Sequence, residues 1–90
     1  MHNPEKIKLL IVDDCKLTTV GLKTMLKAQD DIEIVDIAEN GQVAVAMTEK
    51  LKPDVILMDI GMPIMDGIEA TKIIKKRFLD TKIIMLTSHD

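Results

Sequence analysis

The chain has 90 residues, which is room for one domain with a thin core. Its 47% hydrophobic and 30% charged residues are ordinary for a globular chain, the single aromatic, Phe78, weighs against a base-stacking surface, and a net charge of −3 gives no basic bias toward DNA or an anionic membrane. The lone cysteine, Cys15, cannot form an internal disulfide, the N-terminus carries no signal-peptide core, and no apolar run approaches a membrane span, so a cytoplasmic module is expected.

Ile7 to Val12 is a continuous apolar run, broken only by Lys8, that ends in Asp13-Asp14. A run of that length predicts a strand buried on both faces. From Lys16 the period lengthens: Leu22, Met25 and Leu26 recur at helical spacing, and the helix is expected to close near Gln29-Asp30-Asp31. Ile32 to Ala38 reads as a second strand. Asn40-Gly41 breaks it, and Asn40 is placed to cap a second helix whose buried face is marked by Val43, Met47 and Leu51. Lys52-Pro53 ends that helix, since a residue before proline is pushed out of helical geometry. Asp54 to Met58 is the expected third strand. Asp66, with Glu69 three residues on, resembles a capping box and opens a third helix with Ala70, Ile73, Ile74 and Phe78 on its apolar face. Lys72, Lys75, Lys76 and Arg77 crowd its end, where the helix dipole favours cations and a solvated face is expected. Lys82 to Leu86 is the fourth strand, with Thr87 and Ser88 at its tip.

The order βαβαβαβ implies a parallel sheet with crossover helices. In such a sheet, ligands bind outside the carboxyl ends of the strands. Asp13, Asp14, Asp59, Thr87 and Ser88 all fall at those ends. Three close carboxylates repel, and must share protons or hold a cation. Hard oxygen ligands of this kind suit Mg²⁺, which keeps several waters and often bridges to a phosphate. A metal beside a carboxylate can promote phosphoryl transfer onto it, with a hydroxyl such as that of Thr87 donating to a phosphoryl oxygen. Gly61 allows the backbone to turn so that its carbonyl faces the metal, and Pro63 stiffens the return.

Three segments, "IVDD" (11–14), "ILMDIGMPIMDG" (56–67) and "IIMLTS" (83–88), together resemble the receiver domain of two-component response regulators. "GLKTML" and "MLTSHD" are most similar to the NarL/FixJ-type subgroup. The resemblance covers residues 1–90 and implies a flavodoxin-like, three-layer α/β sandwich, shortened to βαβαβαβ without the family's last helix-strand-helix. It implies that Asp59 accepts a phosphoryl group from a histidine kinase. The chain would be a phospho-acceptor and not an enzyme, with self-phosphorylation from small phosphodonors. It also implies that Asp14 ligates Mg²⁺ directly, that Asp13 holds metal-bound water or acts from a second shell, that Gly61 supplies a carbonyl to the metal, and that Thr87 hydrogen-bonds the phosphoryl group as the switch residue.

The family carries a lysine at the end of a fifth strand, whereas no lysine follows Lys82 here. Losing an electrostatic stabiliser of that class costs roughly 3–4 kcal/mol in the transition state. The fourth strand also becomes an exposed apolar edge, so a homodimer or domain-swapped assembly that covers it is expected. The alternative function is a phosphorylation-independent interaction or dimerisation fragment. A haloacid-dehalogenase-type phosphohydrolase wants a second aspartate two residues after the nucleophile, and that position is Gly61. Cys15 is expected to pack, with its thiol pKa raised by the neighbouring acids. The methionines are expected as core filler, and His2 and His89 lack metal-ligand spacing.

Overall fold

A computed structural model describes residues 6–86. The elements alternate as β1 (Ile7–Val12), α1 (Lys16–Lys27), β2 (Ile32–Ala38), α2 (Gly41–Leu51), β3 (Val55–Asp59), α3 (Gly67–Arg77) and β4 (Lys82–Leu86). The four strands form one parallel sheet in the order β2-β1-β3-β4. This is the flavodoxin-like strand order that the resemblance implies. Chain direction reverses its lateral progress at β1, so the rim above β1 and β3 is the switch point where such folds bind ligands.

The core follows from strand alternation. Leu10 and Val12 of β1 and Ile56 and Met58 of β3 face Ala44 of α2 and Ala70 and Ile74 of α3, all fully buried. Leu9 and Ile11 point to the opposite face, where α1 lies against the sheet. The central strands are therefore apolar on both sides.

Helix ends obey their caps. The Asn40 side chain accepts from the Val43 main-chain N–H at 2.9 Å, and the Asp66 side chain accepts from that of Glu69 at 2.9 Å. Lys52 closes α2 in the left-handed region, at φ 49, instead of the extended geometry that its following proline favours.

Several helix faces differ from the sequence expectation. Thr19 is the buried residue of α1, while Met25, assigned to the apolar face, is 70% exposed. In α2 the buried residues are Gly41, Ala44 and Thr48, and Val43 faces solvent. Small residues let the helix approach the sheet closely, so the larger side chains splay to its flanks. Thr48 enters the core because its hydroxyl donates to the Ala44 carbonyl at 2.7 Å. Helix α1 stops at Lys27, two residues short of the Gln29 expected. Strand β3 is shifted by one residue, which makes Asp59 its last member. Asp54 instead ties strand starts together: its carboxylate accepts from the Lys8 main-chain N–H at 2.8 Å.

Candidate functional site

The rim is built by strands that stop in step. Val12 lies beside Met58 in the sheet, so Asp13 follows β1 at the level where Asp59 ends β3. The Asp13 N–H donates to the Ala38 carbonyl at 3.0 Å, which holds the β1 exit against β2. On the other side, Asp59 lies beside Leu86, and the Ile60 N–H donates to the Leu86 carbonyl at 3.2 Å. Asp59 is thus fixed between two ordered neighbours.

Helix α3 approaches the same point. Gly67 donates its N–H to the Ile60 carbonyl at 2.9 Å, and a Cβ at Gly67 would run into the main-chain carbonyl of Asp59. Only a residue without a side chain allows this crossing. The capping pattern at Asp66 makes Gly67 the first residue of the helix; that it is also a contact with the Asp59 backbone is a tertiary fact. Between them, Ile64 adopts φ 70, a left-handed conformation that is costly for a β-branched residue.

The structure brings Asp13, Asp14 and Asp59 together. One carboxylate oxygen from each lies within 4.8 Å of the others. Asp13 and Asp59 are buried, at 7% and 5% exposure, while Asp14 is open to solvent. Burial pushes the Asp13 carboxyl above its ordinary pKa. The Cys15 main-chain N–H, which donates to it at 2.8 Å, opposes that rise, while the charges of Asp59 and Asp14 and a hydrogen bond with Asp59 add to it. The pocket therefore favours whatever neutralises it. Three hard carboxylate oxygens, two of them shielded and one facing water, form a donor set that fits Mg²⁺, which binds through a few carboxylates and retains waters. Gly61 is exposed in the segment after β3. Thr87, the expected phosphoryl hydrogen-bond donor, lies outside the described residues, as do Ser88, His2 and His89.

Cys15 contradicts both of its expectations. It is exposed, at the N-cap of α1, and its thiol pKa is lowered. The cause is hydrogen bonding from the Thr18 hydroxyl and from the N–H groups of Thr18 and Leu17, which outweighs the Asp13 charge. Among the described residues, no helix is long and apolar enough to cross a membrane.

The arrangement has relatives. Residues 9–90 match the response regulator receiver domain model. The chain is 48% identical over 82 residues to the response regulator protein VraR of Staphylococcus aureus, covering 91% of this chain and 39% of that protein. It is 43% identical over 88 residues to the transcriptional regulatory protein DegU of Brevibacillus brevis, covering 98% of this chain and 37% of that one. The chain thus spans under two-fifths of the length of these curated relatives. Among solved structures, it is similar to the receiver domain of NarL from Mycobacterium tuberculosis, with a TM-score of 0.89 at 30% identity over 97% of this chain and 70% of that one. The response regulator domain of Thermotoga maritima CheB gives 0.87 at 43% identity, over 93% and 62%.

Proposed function

The chain belongs to the response regulator receiver domain family, and from that premise we propose that residues 1–90 act as a cytoplasmic phospho-acceptor module in which Asp59 takes a phosphoryl group from a histidine kinase. The observation that carries the proposal is the rim itself: three carboxylates within 4.8 Å of one another, with Asp59 rigidly held at a strand end.

An Asp59 carboxylate oxygen attacks phosphorus. The bond from phosphorus to the donor's imidazole nitrogen breaks, its electron pair stays on that nitrogen, and the nitrogen takes a proton from solvent. The strand-end position of Asp59 holds the attacking oxygen in place, and its burial limits competing water. Asp13, Asp14 and Asp59, with the Gly61 carbonyl, would hold Mg²⁺, which when bound offsets the charge of the carboxylates and the phosphoryl oxygens. Asp14 would serve as a direct ligand, and Asp13 would hold a metal-bound water or act from the second shell. Thr87 donates to a phosphoryl oxygen.

The test is incubation with Mg²⁺ and acetyl phosphate followed by intact mass, with Asp59→Ala alongside. A single phosphoryl adduct on the parent and none on the variant is the expected result. A folded parent that gains no adduct overturns the reading.

A second reading, assembly through β4, is favoured by one observation: Ile84 is 52% and Met85 36% exposed on a strand that has one neighbour among the described residues. On this reading the chain also works as a homodimer.

A further inference from the structure

The segment between Asp59 and α3 holds a strained turn. The Met65 N–H donates to the Pro63 carbonyl at 2.7 Å, which is the bond of a γ-turn centred on Ile64, and φ 70 makes it the rare, strained form of that turn. A β-branched residue keeps such a backbone only where its surroundings over-determine it. Three contacts do so here. The Met62 side chain is buried and belongs to the core. Gly67 pins the far end of the segment against the Asp59 main chain. The third contact comes from α2: the Gly41 N–H donates to the Met65 carbonyl at 2.8 Å.

Every helix start leaves N–H groups without an intrahelical partner. In α2 the Asn40 side chain takes that of Val43, while that of Gly41 is given to a loop from beyond β3. The approach is as close as main chains allow. A Cβ on Gly41 would stand 2.5 Å from the Met65 carbonyl oxygen, 2.9 Å from Met65 Cγ and 3.0 Å from the Ala70 Cβ. No glycine among the described residues has a positive φ, so it is this contact, and not a left-handed backbone, that calls for glycine at 41.

Gly61 lies inside this braced segment, between Ile60, which the Gly67 N–H holds, and buried Met62. Among the oxygens proposed to hold Mg²⁺, that of Gly61 alone is main-chain. A carboxylate can meet a cation by turning its side chain, whereas a carbonyl is aimed only by the path of its loop. Strain at Ile64 drives that path to relax, and the bond from Gly41 opposes it. We propose that Gly41 is a positioning residue of the acid site. By holding the Met65 carbonyl, it keeps the Ile64 turn wound and the Gly61 carbonyl where a cation can use it, and so couples the start of α2 to the pocket. Linkage makes the coupling reciprocal: a cation in the pocket tightens the Gly41–Met65 latch. This rests on the reading of Asp13, Asp14, Asp59 and Gly61 as a Mg²⁺ site.

Mg²⁺ alone, titrated calorimetrically into the full chain, reads the site without phosphoryl chemistry. Gly41→Ala drives a Cβ into the latch and should weaken Mg²⁺ binding about 10–100-fold, as loss of an outer support does at metal sites. Ile74→Val thins the core toward the other end of α3, and should lower stability with binding unchanged. Circular dichroism checks that each variant is folded at the titration temperature. Ile64→Asn added to Gly41→Ala supplies a residue that takes the left-handed turn readily, and should recover at least about fivefold of the lost affinity. A helix merely damaged at residue 41 gains nothing from it. Amide exchange in the parent gives the reciprocal readout, and decides the matter even where Gly41→Ala does not fold. Saturating Mg²⁺ should slow exchange of the Gly41 N–H more than that of the Val43 N–H, whose acceptor is Asn40. Unchanged binding in folded Gly41→Ala, no recovery in the double variant, or a Gly41 amide slowed no more than that of Val43 overturns the inference. A parent that passes these tests but never gains a phosphoryl group overturns the acceptor reading and leaves the latch standing. A parent that binds no Mg²⁺ overturns both.

Discussion

Replacing Gly67 by alanine tests the claim that α3 and the acid rim are one mechanical unit. The added Cβ meets the Asp59 carbonyl and carbon and the Ile60 Cα, all main-chain atoms, so no flexible side chain can yield. Overpacking of this kind costs about 1–3 kcal/mol. Alanine's better helix propensity offsets at most about 1 kcal/mol of that. The net loss is roughly 1–2 kcal/mol, which for a chain of this size lowers Tm by about 5–15 °C. Gly21→Ala is the control, because a Cβ there meets nothing within 4 Å in the middle of α1. It should stabilise by about 1 kcal/mol, raising Tm by roughly 5 °C. Thermal melts by circular dichroism compare the two. The displaced atoms belong to Asp59 and its neighbour, so Gly67→Ala should also blunt any stabilisation by Mg²⁺, while Gly21→Ala leaves it intact. A Gly67→Ala protein that melts at or above the parent would refute the close crossing of α3 over the β3 tip.

The remaining expectations follow from the same rim. The folded Asp13 carboxyl has a raised pKa, so between its ordinary value near pH 4 and the raised one the native state holds a proton that the unfolded chain has lost. Metal-free stability should therefore fall as pH rises through that window and stay reduced above it; urea melts across pH should show this, and Asp13→Asn should flatten the profile and raise neutral-pH stability. Mg²⁺ at a hundredfold excess over its Kd should stabilise the parent by about 2.7 kcal/mol, seen as a raised Tm, and Asp59→Asn should lose most of that response. Ile64 holds a left-handed backbone at 77% exposure, so Ile64→Asn should relieve roughly 1 kcal/mol of strain at little packing cost, measured as a higher urea midpoint.

What the sequence discloses divides along a physical line. Strand order along the chain, the caps at Asn40 and Asp66, and the acids at strand tips are local: each is set by residues within a few positions of one another. Helix faces are different. In α2 Met47 packs against the core and Leu51 is half-buried as expected, but Val43 is exposed and the fully buried positions are Gly41, Ala44 and Thr48, because the sheet selects the face that permits the closest approach. Thr48 shows why, since a hydroxyl that satisfies itself on the Ala44 carbonyl is effectively apolar and small. The Cys15 thiol failed for a related reason. Counting nearby acids in the sequence finds the repulsion but misses the helix N-terminus that opposes it.

The site shows the same division at a larger scale. Its acids are legible because strand ends are legible, but their convergence depends on β1 and β3 being neighbours, with Val12 beside Met58. Register does what spacing cannot. It sets Asp59 level with Asp13 on one side and with Leu86 on the other, so the β3 tip is the centre of the acid cluster and takes its position from both neighbouring strands. A substitution at Leu86 is for that reason expected to be felt at Asp59 before it is felt in the core.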